Sequence, residues 1–303
     1  MIELVRTVNL REIIGEPEKG IIFSDVDGVW LDENNNFTPP NKSKLEIIQS
    51  AKQAGYWVVL VSDTGSIALS QYAEQFDANS PVIAENGAYI YLPQQNIKLY
   101  TEESRAQFFQ NLTNSIENQL NQKPNVVVYR LNATPYIQTT KNINEKNKTI
   151  YLINSAREES LGIYIRQSDN NGILSIDVQK TEETKALFVQ EVEKILPPSQ
   201  KMIVKSYPQI GSCLVKNPKI QKWKAVQLFI ESFPQDLRYY MIGDTENDSM
   251  QNLGRIVTNC AVGNATDAYK KIIAETNGLV APQNKTIADG AFYLIEQIIQ
   301  EGK

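Results

Sequence analysis

Asp25 and Asp27 stand two residues apart in Ser24-Asp25-Val26-Asp27-Gly28-Val29, directly after the apolar run Gly20-Ile21-Ile22-Phe23. A run of that kind reads as a short strand, and the carboxyl ends of strands are where α/β sheets keep their chemistry. Alternation along an extended chain points both carboxylates the same way, so two negative charges share one small volume unless a cation is supplied. With a divalent metal present, an aspartate so placed can attack phosphorus while its neighbour handles protons. Taken alone, the run reads more readily as a strand closed by an Asp-Gly turn. A second cluster shifts the balance. Tyr240-Met241-Ile242-Gly243-Asp244-Thr245-Glu246-Asn247-Asp248 again sets an aspartate, Asp244, after apolar residues. In a parallel sheet both clusters fall on one edge, where Asp25, Asp27 and Asp244 together could hold one Mg²⁺, with water and substrate oxygens completing its shell.

The chain has no histidine, which excludes a Ser-His-Asp triad, a Cys-His pair and every His-ligated zinc or iron site. Its two cysteines, Cys213 and Cys260, are too few for a disulfide framework or a four-cysteine metal site. Thirty basic against 35 acidic residues give a net charge of −5, with no basic block to serve nucleic acid or an anionic membrane. The start carries no signal-peptide pattern, and the apolar run Trp57 to Val61 is far too short to span a bilayer, so a cytoplasmic location is expected.

At 303 residues and 42% hydrophobic composition, the chain is expected to form two domains. Residues 1 to 20 read as a charged lead-in with a helix at Leu10 to Ile14. From there strand and helix alternate: strand Ile21 to Ser24, helix Asn41 to Ala54, strand Trp57 to Ser62, helix Ser66 to Phe76, strand Val82 to Ala84. Such alternation predicts a parallel sheet with crossover helices. Between 93 and 212 the texture changes to helices interleaved with hairpin-like strands, with a turn at Asp169-Asn170-Asn171-Gly172. The parallel pattern then returns with helix Lys222 to Ser232, strands Tyr239 to Ile242 and Ile256 to Ala261, and helix Ala288 to Ile299. The fold class is therefore α/β, a Rossmann-like parallel-sheet core of residues 1–92 and 213–303 with an inserted α+β domain at 93–212.

The chain resembles the haloacid dehalogenase superfamily in its Cof-type branch. Asp25-Val26-Asp27-Gly28-Val29 is similar to the first motif of that family, and the strand Gly55 to Ser62 to its second. Lys222-Trp223-Lys224-Ala225 resembles the start of the motif III helix, and Gly243-Asp244-Thr245-Glu246-Asn247-Asp248 matches the fourth motif without a gap. Glu85-Asn86-Gly87-Ala88 and Gly263-Asn264-Ala265 are further signatures of the branch. The likeness covers the chain after residue 20 and fades within the insertion, which in this family is a cap. Two positions depart from the pattern: Ser62-Asp63-Thr64 stands where the branch often has Thr-Gly-Arg, and Trp223 where it has glycine.

The resemblance implies a Mg²⁺-dependent phosphatase acting on a small phosphorylated metabolite such as a sugar phosphate, similar to sucrose-phosphate and mannosyl-3-phosphoglycerate phosphatases. Asp25 is the implied nucleophile and Asp27 the acid and base. The implied metal ligands are the Asp25 side chain, the Asp27 backbone carbonyl and Asp244, with Asp248 ordering the shell. Ser62, the Asp63 backbone, Lys222 and Asn247 are implied to bind the phosphoryl group. A shifted register would put Thr64 in place of Ser62, and Lys219 and Lys224 compete with Lys222. Arg130, Arg166 and Lys180 are candidates to meet the leaving group. A phosphomutase with the same aspartates, or a binding protein without turnover, are the alternatives.

Overall fold

The computed structural model describes residues 3–31, 41–79, 81–131, 143–197 and 199–302. The chain divides into two compact units, Met1–Glu103 with Ile220–Lys303, and Ser104–Lys219. The first unit begins with β1 (Glu3–Leu4), α1 (Leu10–Ile14), β2 (Gly20–Ser24), α2 (Lys42–Gln53), β3 (Tyr56–Leu60), α3 (Ser66–Gln75), β4 (Val82–Ala84), β5 (Tyr89–Leu92) and β6 (Ile97–Tyr100). The second holds α4 (Ala106–Asn121), β7 (Val126–Arg130), β8 (Thr149–Ile153), β9 (Ser160–Ser168), β10 (Leu174–Ser175), α5 (Val178–Ile195), β11 (Ile203–Tyr207) and β12 (Ser212–Lys216). The first then resumes with α6 (Lys222–Ile230), β13 (Arg238–Gly243), β14 (Val257–Ala261), α7 (Asp267–Thr276), β15 (Leu279–Val280) and α8 (Ile287–Glu301).

The centre of the first unit is a five-stranded sheet in the order β15-β14-β13-β2-β3, parallel throughout. Strand β2 is buried along its whole length, as a strand between two parallel neighbours with helices on both faces must be. Alternation sends Ile22, Val58, Leu60, Tyr240 and Ile242 into a layer with α2, α3, α7 and α8. The intervening Ile21, Phe23, Val59, Val61 and Met241 meet α1 and α6 on the opposite face. Because the chain leaves β2 towards β3 on one side and finds β13 on the other, the sheet has its topological switch between β2 and β13.

A smaller sheet, β1-β6-β5-β4, follows on from β3 through a bridge between Val61 and Ile83. The lead-in does form its helix at Leu10–Ile14, and Glu3–Leu4 also pairs in parallel with β6. Pairing of β6 with both β5 and β1 keeps residues up to 103 with the first unit. The second unit thus starts at Ser104 and ends at Lys219, where the sequence placed the insertion at 93 and 212.

The second unit is a mixed sheet, β11-β12-β9-β8-β7 with β10 on β9, carrying α4 and α5 on one face. Phe109, Leu112 and Ile116 of α4 and Phe188 of α5 pack there on Tyr151, Ile163, Ile165 and Val215. The hairpin read at Asp169 forms: Asp169 Oδ1 accepts from the N–H groups of Asn171 and Ile173, each at 2.8 Å, and Gly172 takes φ +83°. Helix α5 was not expected. Its buried face includes Thr181, Thr184 and Glu191 beside Phe188 and Val192, so polar residues interrupt the apolar stripe that would have announced it.

Candidate active site

At the switch point the backbone itself brings the two acidic clusters together. Ile242 pairs with Ser24 in register, and the Asp25 N–H continues the ladder by donating to the Ile242 carbonyl at 2.9 Å. Asp25 and Gly243 therefore face each other where the two central strands end. Beyond β2 the chain turns at once, with the Val26 carbonyl accepting from the N–H groups of Trp30 and Leu31 at 2.8 and 3.0 Å. Gly28, at φ +74°, is pressed against Asp244 so closely that a Cβ would lie 2.1 Å from its Oδ2. Asn264 holds this turn from the other side, donating from Nδ2 to the Gly28 carbonyl at 2.9 Å.

Beyond β13, Thr245 and Asp248 form a capping box around the single turn Glu246–Asp248. Asp248 Oδ2 accepts from the N–H groups of Asp244 and Thr245 at 3.1 and 3.2 Å, and its Oδ1 accepts from Lys222 Nζ at 2.7 Å. With those donors on a fully buried carboxylate, Asp248 organises its neighbours. The Thr-x-x-Asp spacing of a capping box was the signal in the sequence from which this second use of Asp248 could have been read.

Lys222 opens α6 and is buried, with Nζ 2.8 Å from Asp25 Oδ1 and 2.7 Å from Asp248 Oδ1. Burial pulls its ammonium down, but Asp248 and Asp25 outweigh burial and hold it charged, above the usual lysine range. Its two rivals lie elsewhere: Lys224 pairs with Glu102 at 3.9 Å, and Lys219 is exposed at the end of the second unit.

One ammonium does not neutralise this pocket. Asp25, Asp244 and Asp248 each offer an oxygen within 4.8 Å of the others, and Asp27 adds a fourth carboxylate nearby. Burial, and then Asp248, push the Asp25 carboxyl well above its ordinary range, against the pull of Lys222. The same two causes push Asp244 up to about 7. Asp25 Oδ1 is buried and, although Lys222 is close, accepts no hydrogen bond of good geometry. Hard oxygen donors that repel one another, one of them without a hydrogen bond, suit a metal ion.

Of the remaining candidates, Ser62 is buried at the end of β3's run and donates from Oγ to Asp27 Oδ2 at 3.2 Å. Asp63 and Thr64 follow in the loop before α3, both half-buried, and the Thr64 N–H donates to Ser62 Oγ at 3.1 Å. Asn247 is exposed within the turn Glu246–Asp248. In the second unit, Arg130 is drawn to the helix-covered face by Glu117 and Asn114 of α4, and Lys180 pairs with Glu183 at 2.7 Å. Arg166 stands on the opposite face, since Ile163 and Ile165 point at the helices, and donates from Nη1 to the Gly211 carbonyl at 3.2 Å.

Comparison with known proteins agrees with this geometry. A family model described as haloacid dehalogenase-like hydrolase matches residues 22–288. No curated protein sequence matches the chain. Among solved structures, a haloacid dehalogenase-like hydrolase from Bacteroides thetaiotaomicron is 16% identical with a TM-score of 0.61, over 93% of this chain and 100% of that one. A HAD/COF-like hydrolase from Plasmodium vivax is 17% identical with a TM-score of 0.58, over 96% and 99%. A trehalose-6-phosphate phosphatase related protein is 11% identical with a TM-score of 0.55, over 94% and 100%. These likenesses carry the fold, a parallel-sheet core with a separate inserted sheet. With the family match running from the middle of β2 to the start of α8, and so across both aspartate-bearing strand ends, the chain belongs to the haloacid dehalogenase-like hydrolases.

Proposed function

We propose that the protein is a Mg²⁺-dependent phosphatase that hydrolyses a small phosphorylated metabolite through an aspartyl-phosphate on Asp25. The observation that carries this reading is the setting of Asp25, a buried carboxylate at the switch point with an ammonium 2.8 Å from one oxygen and two more carboxylates grouped around it. Asp25, the Asp27 carbonyl and Asp244 would hold Mg²⁺, with Asp248 fixing the backbone of Asp244. Bound there, the ion neutralises carboxylates and phosphate so that an anionic substrate can enter.

Asp25 attacks phosphorus as the bond to the leaving oxygen breaks, and protonated Asp27 gives its proton to that oxygen. Asp27, now ionised, takes a proton from the water that attacks the same phosphorus; inorganic phosphate departs and Asp25 is restored. Ser62 Oγ, the Asp63 N–H, Lys222 Nζ and Asn247 bind the phosphoryl oxygens, so the site works chiefly by placement and charge. The Ser62 bond to Asp27 favours Ser62 over Thr64 as the hydroxyl of the site.

For the leaving group a sugar phosphate is the favoured class, of the kind taken by sucrose-phosphate and mannosyl-3-phosphoglycerate phosphatases. The likeness to a trehalose-6-phosphate phosphatase related protein supports it. The second unit is assigned the role of a cap that selects this group. The deciding experiment is Asp25→Asn, assayed with p-nitrophenyl phosphate and a panel of sugar phosphates. Turnover should disappear, with folding retained, because an amide is nearly isosteric yet does not attack phosphorus. Substantial residual activity in the variant, or full wild-type activity in excess chelator, would overturn the mechanism.

A further inference from the structure

The turn joining β4 to β5 is built from three consecutive residues in the left-handed region, Glu85, Asn86 and Gly87, at φ +48°, +62° and +95°. Asparagine and glycine take that region readily but glutamate does not, so at Glu85 surrounding contacts must hold the conformation. Those contacts converge on the active site from two sides. The Asn86 N–H donates to the Ser62 carbonyl at 2.9 Å, and the Glu85 N–H donates to the Thr64 carbonyl at 3.0 Å. From the same residue, Asn86 Nδ2 donates to the Ile220 carbonyl at 3.3 Å, two residues before Lys222.

Gly87 closes the joint. A Cβ on it would lie 2.8 Å from the Gln221 carbonyl oxygen and 2.9 Å from Ala225 Cβ, in the first turn of α6. Beneath the turn, the buried Glu85 accepts from the Tyr89 hydroxyl at 3.0 Å, and that hydroxyl lies 3.3 Å from Ser66 Oγ at the start of α3. The turn is thus anchored at its base and reaches two elements that are far apart in sequence.

We propose that Asn86 is a positioning residue that sets the Ser62 hydroxyl and the Lys222 ammonium in one frame, through its backbone N–H on one side and its side-chain amide on the other. That these two groups receive phosphate rests on the function proposed above. Each arrives on its own element, Ser62 after β3 and Lys222 on α6, so each would otherwise be placed independently. Two donors that converge on one phosphoryl group have to be aligned to fractions of an ångström to act together.

The test separates this role from that of a turn residue. In Asn86→Gly the left-handed backbone, and with it the bond to Ser62, is kept or eased, while the bond to Ile220 is lost. A residue needed only for its turn would leave Asn86→Gly equal to wild type. The positioning role instead raises KM for p-nitrophenyl phosphate, and Ki for inorganic phosphate, by about three- to tenfold with kcat nearly kept, the range that loss of one hydrogen bond implies. Asn86→Asp, which tolerates the same backbone but has no donor, should behave alike. Wild-type KM and Ki in Asn86→Gly, or a fall in kcat at constant KM, would overturn the proposal. Amide exchange gives a readout independent of any phosphatase activity: peptides covering residues 218–226 should exchange several-fold faster in Asn86→Gly while β13 and β14 are unchanged. Unchanged exchange there refutes the positioning role of Asn86, whereas an inactive wild type with the expected exchange refutes only the phosphatase reading.

Discussion

A carboxyl pushed up to about 7 is half protonated at neutral pH, and Asp244 is in that position because burial and the charge of Asp248 both oppose its ionisation. In the unfolded chain the same group has given up its proton above about 4. The folded, metal-free protein therefore binds more protons than the unfolded chain between about pH 4 and 7, and its stability falls as pH rises through that window. Asp25, raised in the same direction, adds to the effect. A cation displaces these protons, so its affinity climbs as stability without it declines. Thermal melts from about pH 5 to 8 should show Tm falling in chelator, and the gain on adding Mg²⁺ growing over the same range. Asp244→Asn should flatten both trends, and a metal-free Tm that rises with pH would refute the charge reading. With no histidine in the chain, no ordinary side chain competes for this window. At this scale, the placing of Asp25 and Asp244 on one edge was legible, because residue type and strand position fix it together. The burial of Lys222 was less so. It depends on where α6 begins, and three lysines stood within six residues. The face taken by Arg130 was not legible, since one residue of strand register reverses it.

At the scale of elements, the site depends on how near two loops come, and glycine permits the approach. Gly28 combines a left-handed φ of +74° with Asp244 at the point where its Cβ would be, and a Cβ at Gly243 would lie 2.3 Å from that of Asp248. Gly28→Ala should cost about 1–2 kcal/mol of stability for the backbone alone. Its larger effect should fall on the metal, because the side chain it displaces is Asp244: Mg²⁺ affinity by calorimetry should drop by more than about tenfold, as the loss of one charged ligand implies. Unaltered affinity would remove Asp244 from the ligand set. The strands β2, β3 and β13 could be read in the sequence because their apolar runs are buried on both faces and short enough to exclude helix. Helix α5 escaped because its tertiary contacts tolerate Thr181, Thr184 and Glu191 on the buried face, with Ser115 and Lys194 satisfying the glutamate. The pairing of Glu3–Leu4 with β6 escaped for another reason. Two residues carry no periodicity.

At the scale of the whole molecule, the second unit is one uninterrupted stretch with its own apolar centre, while the first is assembled from two separate stretches. That an insertion exists was legible from the change of texture near residue 93. Strand β6 reads like the hairpins that follow it and pairs instead with the parent sheet. Expressed alone, residues 104–219 should unfold cooperatively in urea, whereas residues 1–103 alone should give no cooperative transition. The reverse outcome would mean that the units are not independent in folding. The position of β2 between β3 and β13 also bears on biosynthesis. On the ribosome, β2 and β3 emerge with their crossover helix but without β13, and the register partner of Gly20, Arg238, is made more than two hundred residues later. At about 5–20 residues per second that interval lasts on the order of ten to forty seconds. Throughout it the edge of β2 that β13 will occupy is unpaired, so the nascent protein is a natural client of holding chaperones. A message that ends before β13 should accordingly yield aggregate and not a smaller enzyme.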